Sequence, residues 1–435
     1  MWKKLLLSAV LGLGIGGGLG LLLMTWVLNY LGRSAAATMG NSAMMSTAAH
    51  ATNASLAQPP PPETRFLVVA GGGAPSYNEI ALEKNVLYFQ RTLQVLGFNP
   101  AIASIFFANG NDGRATIRYL DGQGQERFKA PQIPHLQGAS TITNVTNWLR
   151  QNATQGAGRS LFFYFTGHGR KNRSNLDNNA MILWNEELLS VQRFSSLLDQ
   201  SPQVQPVVAV MVQCYSGSFA NLIYQGGNPN RPLAAQNRCG FFATLRHLPS
   251  VGCTPEVNEA DYEDYSSSFF AGLSGRTRTG QVAASADYDR NGKVSYREAH
   301  AFVKVDSVTT DLPISTLEAW MERETSTVNT QTFLQQPINT LLPGARPERR
   351  HVIQTLSAEL GFSPQRSFAA QKQRPANEHQ ATLQERLRME LLHVARENLI
   401  RRTGTPTQLS TLNRLLDCEG GSWQPERAGA VAGSS

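Results

Sequence analysis

A histidine and a cysteine stand where two predicted strands of this sequence end. His168 follows the apolar run at 160–165, and Cys214 follows the apolar run at 207–212. Apolar runs of this length, bounded by turn residues, are typical of strands covered on both faces. A nearby imidazole stabilises a thiolate, which is the nucleophilic form of cysteine. The two residues are therefore a candidate base and nucleophile.

This pair predicts acyl transfer through a thioester. The backbone N–H groups of Gly169 and Cys214 are the candidate donors for the oxyanion, because glycine lets a substrate carbonyl approach closely. His168 would then protonate the leaving amine. Taken singly, a cysteine or histidine at a strand end is more often a core residue. A metal site is disfavoured because neither residue has a second Cys or His at ligand spacing.

The elements around the pair predict an α/β domain. A strand at 65–70 leads into a helix with apolar residues at helical spacing from Leu82 to Leu96, and Ala101 to Phe107 is predicted as the next strand. Further helices are predicted around 142–149 and 188–198. This alternation favours a mostly parallel sheet, in which ligands bind outside the carboxyl ends of the strands.

The composition favours a globular protein without nucleic-acid binding. Hydrophobic residues make up 41% of the chain and charged residues 16%, and the net charge is +7 over 435 residues. The chain has no dense Lys/Arg stripe with interleaved aromatic residues, so we expect no nucleic-acid partner. A peptide or protein substrate fits the candidate pair better.

The amino terminus predicts a membrane anchor. No charged residue occurs from Leu5 to Gly32, which is longer than the 7–15 apolar residues of a secretory signal and long enough to span a bilayer. Lysines before the run would keep that end in the cytoplasm and place the body outside. The alternative is a signal that is cleaved after Ala35-Ala36-Ala37, giving a secreted protein. Within the run, glycines four residues apart would permit weak self-association: Gly12, Gly16 and Gly20.

The cysteines stand at four positions: 214, 239, 253 and 418. In an oxidising compartment Cys239 and Cys253 could form a disulfide that closes a short loop. The alternative is a pair of buried thiols. Cys214 must stay reduced in order to act as a nucleophile.

The segment from Phe163 to Gly169, together with Cys214-Tyr215-Ser216-Gly217-Ser218, resembles the caspase-like cysteine peptidases, and the legumain family most closely. The resemblance spans about residues 64–305 and implies a caspase-like three-layer fold. It also implies an asparagine after the first strand that orients the histidine, which matches Asn78. An ordinary helix cap would equally favour asparagine there.

Two positions depart from the legumain pattern. Legumains have an acidic residue directly before the histidine, where this chain has Gly167. They also have an arginine two residues after the orienting asparagine, where this chain has Ile80. Cleavage after asparagine is therefore not predicted.

A second motif predicts a calcium site. Residues 287–298 match the twelve-residue EF-hand loop, in which Gly292 makes the turn. The expected ligands are Asp287, Asp289, Asn291, the carbonyl of Lys293, Ser295 through water, and Glu298. The segment Thr279 to Ala286 does not have a strong helical pattern, so we expect a loop and exiting helix that bind a structural Ca²⁺. A turn followed by an N-capped helix is the alternative.

The chain thus divides into five predicted parts. These are a transmembrane anchor or signal at 1–33, an Ala/Ser/Pro-rich linker at 34–63, a caspase-like α/β domain at 64–305, a helical extension at 306–418 and a disordered tail at 419–435. The expected function is a membrane-anchored cysteine endopeptidase. The alternatives are a transamidase of the same family and a non-catalytic calcium-binding scaffold.

Overall fold

A computed structural model of the chain describes residues 64–155, 159–200, 206–260 and 262–423. None of the helices within these ranges is long and apolar enough to cross a membrane. The predicted anchor at 1–33 and the linker at 34–63 lie outside the described residues, as do Gly12, Gly16 and Gly20.

The described chain contains eleven strands and eleven α-helices. The strands are β1 (Thr64–Gly71), β2 (Ala103–Phe107), β3 (Ile117–Leu120), β4 (Glu126–Lys129), β5 (Leu136–Gly138), β6 (Ser160–Arg170), β7 (Ala180–Ile182), β8 (Leu188–Ser190), β9 (Val207–Val212), β10 (Arg238–Phe242) and β11 (Ile314–Ser315). The helices are α1 (Ile80–Val95), α2 (Ile142–Gln155), α3 (Val191–Asp199), α4 (Tyr265–Ser274), α5 (Tyr296–Asp306), α6 (Thr316–Glu324), α7 (Gln331–Leu334), α8 (Pro347–Glu359), α9 (Phe368–Gln371), α10 (Glu378–Thr403) and α11 (Pro406–Glu419).

The main sheet is mostly parallel, which confirms the predicted α/β class. Its strands lie in the order β11-β10-β9-β6-β1-β2-β5, with β7 and β8 attached beside β6. All neighbours along this order are parallel except β10 and β11, which are antiparallel. The strands β3 and β4 form a separate hairpin.

Alternate side chains of the central strands pack into two separate apolar layers. Phe162 lies in one cluster with residues of α1, α4 and α5, whereas its neighbour Phe163 lies in the other with residues of α2, α3, α6 and α11. This alternation follows from the period of two along a strand. The result is a three-layer arrangement with helices on both faces of the sheet.

The chain reverses its direction of travel across the sheet between β1 and β6. From β1 it passes through α1 to β2 on one side, and from β6 it passes through α3 to β9 on the other side. The connections that follow these two strands lead away from each other and leave a crevice at the carboxyl ends of the strands. Open α/β sheets bind ligands in such a crevice. The residues that follow β1 and β6 therefore border the natural binding site of this fold.

The carboxyl-terminal helices pack onto the sheet domain. A disulfide joins Cys239 in β10 to Cys418 in α11, so the predicted pairing of Cys239 with Cys253 is wrong. The sequence favoured the nearer partner, but the packing of α11 brings Cys418 to β10. Trp423 is buried among the rings of Phe66 and Phe162, so the ordered chain continues past the boundary predicted at Glu419. Residues 424–435 of the predicted tail lie outside the described residues.

A buried ionic cluster connects these helices to α5. Lys304 donates to carboxylates of Glu318 and Glu390, and Arg349 contacts the same two carboxylates at 3.1 and 2.8 Å. All four side chains are at most 6% exposed. The two cations outweigh the burial that acts on Glu390 and lower its pKa to about 2. The cluster therefore holds charged groups of both signs in the interior.

We expect the substitution Lys304→Met to lower the free energy of unfolding by about 3–5 kcal/mol, because it leaves two buried carboxylates with one cation fewer. Urea denaturation measures this change. Lys84→Met is the control, because Lys84 forms a partly exposed ion pair with Glu259 and its loss costs about 1 kcal/mol or less. Equal effects of the two substitutions would contradict this account of the cluster.

Candidate active site

The sheet brings the predicted nucleophile and base close together near the carboxyl ends of the neighbouring strands β6 and β9. In the parallel pair of β6 and β9, Thr166 lies opposite Val212. His168 and Cys214 each come two residues after this pair, at the same edge of the sheet. Neighbouring strands are about 4.8 Å apart, so this register places the two backbones side by side. His168 also borders the crevice between β1 and β6.

The backbone of Gly169 packs directly against Cys214. A Cβ atom at position 169 would lie 2.0 Å from the carbonyl oxygen of Cys214, which no real side chain tolerates. Glycine is therefore required for the two segments to approach each other. This close approach places the backbone of Gly169 beside Cys214, as its predicted role as an oxyanion donor requires.

A sharp turn places Cys214 at the start of a new segment. Tyr215 has a φ of 61°, a left-handed conformation that is uncommon for a non-glycine residue, and a 3-10 helix follows at Ser216–Ile223. Strained backbone of this kind persists where the surrounding structure holds it. Here Tyr215 N–H donates to the carbonyl of Leu248, and Gly217 N–H donates to that of Thr244.

The thiol of Cys214 contacts the loop that follows β10. The backbone N–H of Ser250 donates to Sγ at 3.3 Å, and Sγ lies 3.6 Å from the carbonyl oxygen of the same residue. Burial raises the pKa of Cys214, although the Ser250 N–H acts in the opposite direction. The loop thus covers the thiol, and its burial favours the neutral form of Cys214.

Asp311 holds this loop in place. Its carboxylate accepts hydrogen bonds from the Ser250 hydroxyl at 2.8 Å and from the Val251 N–H at 3.2 Å. Burial raises the pKa of Asp311 to about 7, against the effect of these two hydrogen bonds. The position of Ser250 over the thiol thus depends on a residue 97 positions after Cys214 in the sequence.

A buried carboxylate orients His168. Nε2 of His168 lies 2.9 Å from Oε2 of Glu79, and Oε1 of Glu79 lies 3.0 Å from Arg118. Burial acts to raise the pKa of Glu79, but its contacts with His168 and Arg118 outweigh burial and lower it. An ionised Glu79 accepts a hydrogen bond from Nε2–H, which leaves Nδ1 as the basic nitrogen of the neutral ring.

Asn78 lies directly beside this contact but bonds elsewhere. Its Oδ1 accepts from Gly72 N–H at 2.9 Å, and its Nδ2 donates to the carbonyl oxygen of Thr116 at 3.3 Å. Asn78 is fully buried and ties the segment after β1 to β3. The contact with His168 that the resemblance assigns to Asn78 is made in the structure by its neighbour Glu79.

The packing explains both departures from the legumain pattern. A Cβ atom at Gly167 would lie 2.7 Å from the carbonyl oxygen of Gly71, so an acidic residue does not fit there without movement. Ile80 is 5% exposed and belongs to the apolar layer with α1. Position 80 therefore packs in the core instead of lining a substrate pocket.

Cys253 is one of the residues of this site that the sequence did not predict, as are Glu79, Ser250 and Asp311. It is a free cysteine and exposed as a residue, but burial of its thiol group raises the pKa of Cys253 well above the usual value. Its Sγ lies within 4.8 Å of a ring nitrogen of His168 and a carboxylate oxygen of Glu79. No sequence pattern predicts a role in the site for Cys253, because the loop at 243–264 reaches the site through tertiary contacts. For Glu79, the only indication of a role beside His168 in the sequence was its position next to Asn78.

A cavity of about 510 Å³ opens beside the turn after Cys214. Gly217, Arg246 and Arg323 are among its lining residues. Both arginines pair with the carboxylate of Asp177, which also lines the cavity. The cavity has a volume within the range of small-ligand pockets, and its lining includes charged groups of both signs.

Three of the predicted calcium ligands also come together. One carboxylate oxygen from each of Asp287, Asp289 and Glu298 lies within 4.8 Å of the other two. Gly292 has a φ of +84°, as the sharp turn of such a loop requires. Asn291 N–H donates to both aspartates. The donor set of hard oxygens fits Ca²⁺.

The helix that follows the loop also has an N-cap, as the alternative prediction of a turn followed by an N-capped helix requires. Ser295 is the N-cap of α5 and forms a capping box with Glu298. The segment from Thr279 to Ala286 is not helical. The oxygens of Glu298 accept from the N–H groups of Ser295 and Tyr288, which draws the two ends of the loop together. Lys293 lies in the loop between Gly292 and Ser295, at the position from which its carbonyl is expected to contribute.

Comparisons with known proteins give little further information. The chain matches no protein-family model and no curated protein sequence. Among solved structures it is similar to protein GSU0716 from Geobacter sulfurreducens, with 15% identity and a TM-score of 0.32. That match covers 56% of this chain and 88% of the other. A likeness of this size carries no argument about function.

Proposed function

We propose that the chain is a cysteine endopeptidase in which Cys214 is the nucleophile and His168 the general base. One observation carries the proposal: Cys214 and His168 lie at the same level on neighbouring strand ends, and a buried carboxylate orients the imidazole. Nucleophile, base and orienting group together are the constellation of nucleophilic acyl transfer. The proposed fold is the caspase-like one, supported by the three layers and the resemblance of the two motifs.

The reaction begins when a substrate displaces Ser250 from the thiol. Nδ1 of His168 takes the proton of Cys214, and the thiolate attacks the peptide carbonyl carbon. Backbone N–H groups of Gly169 and Cys214 stabilise the oxyanion. The C–N bond breaks as His168 returns the proton to the amine, and an acyl-enzyme remains. Water, activated by the same imidazole, releases the carboxylate product and the free thiol.

The first experiment asks whether the protein cuts peptide bonds at all. The full chain is incubated with a complex mixture of peptides, and new termini are identified by mass spectrometry. The proposal expects cleavage after a restricted set of residues. A scaffold without catalysis produces no new termini, and this result would contradict the proposal.

We further propose that residues 287–298 bind a structural Ca²⁺. Asp287, Asp289, Asn291, the carbonyl of Lys293, Ser295 through water and Glu298 would hold the ion. The convergence of three carboxylates around Gly292 supports this assignment. Outside the cytosol such loops bind with Kd values of about 10⁻⁴–10⁻³ M.

Calcium is expected to stabilise the wild-type protein. At a concentration ten times Kd, ligand binding contributes about 1.4 kcal/mol and raises Tm. Asp289→Asn is expected to remove most of this increase, as measured by thermal denaturation with and without Ca²⁺. Asp121→Asn is the control, because Asp121 also accepts two backbone N–H groups in a turn but lies outside the loop. The same calcium response in both variants would contradict the site.

The proposed location is the non-cytoplasmic side of a membrane, with the run at 1–33 as anchor or cleaved signal. The disulfide between Cys239 and Cys418 supports an oxidising compartment. The substrate is a protein or peptide.

A further inference from the structure

We propose that Glu79, His168 and Cys253 form a Zn²⁺ site that reversibly blocks the candidate base. One ligand atom of each residue lies within 4.8 Å of the other two. A thiolate, an imidazole nitrogen and a carboxylate oxygen are the three donor types that Zn²⁺ prefers. The proposed catalysis uses two of these residues and leaves Cys253 without a role.

The two ligand atoms of Glu79 and His168 are already close to the separation that a tetrahedral ion requires. Zn–N and Zn–O bonds of about 2.0–2.1 Å place two ligand atoms about 3.3 Å apart. Nε2 of His168 and Oε2 of Glu79 are now 2.9 Å apart, so they have to separate by a few tenths of an ångström. Zn²⁺ takes the place of the proton on Nε2, and the neutral ring then carries its proton on Nδ1.

Neighbouring residues hold Glu79 and His168 in position. Arg118 lies 3.0 Å from Oε1 of Glu79 and fixes the carboxylate, with Oε2 turned to the histidine. Such partners of a ligand orient it and raise the affinity for metal. Glu79 is buried and His168 is half-buried, so both are held by the sheet domain.

The third ligand comes from the surface loop and makes the site reversible. Cys253 is an exposed residue of this loop, and Zn²⁺ binding displaces its thiol proton. Three protein ligands leave one position of the tetrahedron for water. Once bound, Zn²⁺ occupies Nε2 of His168 and engages the loop that carries Ser250, three residues before Cys253. Cys214 is not a ligand in this arrangement.

The inhibitory consequence rests on the proposed peptidase function, whereas binding of Zn²⁺ does not. Inhibition follows because a neutral imidazole bound to Zn²⁺ through Nε2 carries its proton on Nδ1, so Nδ1 no longer takes the thiol proton. Binding and inhibition are therefore measured separately. Failure of the peptidase proposal leaves the binding result intact, and failure of binding leaves hydrolysis intact.

Zinc binding is tested on the full chain by titration with Zn²⁺ and with Co²⁺, whose absorption reports a bound thiolate. Excess Ca²⁺ is present so that the loop at 287–298 is saturated. We expect one Zn²⁺ per chain. Cys253→Ser and Glu79→Gln are each expected to lower the affinity by about 100-fold or more, since even partners outside the ligand set are worth 10–100-fold. Inhibition is measured separately, by comparing the rate of peptide hydrolysis of each variant with and without Zn²⁺.

Two control variants make the result specific. Cys214→Ala is expected to keep the affinity and the cobalt–thiolate absorption. Glu256→Gln removes an exposed carboxylate from the same loop, outside the cluster, and is expected to bind Zn²⁺ as the wild type does. Unchanged affinity in Cys253→Ser would overturn the proposal. So would loss of the thiolate absorption in Cys214→Ala, because the metal would then lie on the proposed nucleophile.

Discussion

Replacing Cys214 by alanine is expected to lower the rate of peptide hydrolysis by about 10⁴-fold or more, because the acyl-enzyme route has no nucleophile without the thiolate. The fold is expected to remain intact, since the turn after β9 is held by backbone hydrogen bonds of Tyr215 and Gly217. Initial rates on a peptide from the cleavage experiment measure the effect, and far-UV circular dichroism monitors the fold.

The neighbouring thiol provides the decisive comparison. Cys253 also lies near His168, but it sits on a surface loop and not on the strand-end turn beside Gly169. Cys253→Ala is therefore expected to reduce hydrolysis far less than Cys214→Ala. The reverse order of the two losses would make Cys253 the nucleophile and contradict the assignment.

Replacing Glu79 by glutamine is expected to lower kcat by about 10²–10⁴-fold. The amide no longer stabilises a positive imidazole, and it does not enforce the tautomer in which Nδ1 is the base. KM is expected to change little, because Glu79 contacts the histidine and not the substrate. Steady-state kinetics separates the two constants.

Glu126→Gln is the matched control for this prediction. Glu126 also forms an ion pair with Arg118, at 3.1 Å, but it is exposed and does not contact His168. Its replacement is expected to leave kcat within about two- to threefold of the wild type, as is usual for exposed charges. Equal kcat values for the two variants would show that Glu79 does not orient the base.

Local sequence patterns predicted the elements that carry the site. The apolar runs at 160–165 and 207–212 are the strands β6 and β9, and the helical spacing from Leu82 to Leu96 matches α1. The two strands are buried on both faces and the helix is buried along one stripe. Each kind of burial produces a regular pattern of apolar residues in the sequence. The class of the sheet followed from the alternation of strands and helices.

The parts that depend on distant contacts were not predictable. Cys418 reaches Cys239 across 179 residues, and Asp311 reaches Ser250 across 61. Neither distance leaves a periodic signal in the sequence. The same holds for Cys253, whose approach to His168 depends on a loop without regular structure. The sequence therefore predicted the strands and helices correctly, but it predicted neither the disulfide partner of Cys239 nor the loop residues that contact the site.

Covalent trapping of the nucleophile tests the central claim most directly. The full chain is treated with a peptide that carries a thiol-reactive electrophile at the position of the scissile carbonyl, and the modified residue is mapped by mass spectrometry. The account predicts a single adduct on Cys214, formed much more slowly when His168 is replaced by alanine. An adduct on Cys253 instead, or labelling of Cys214 at the same rate without His168, would contradict it.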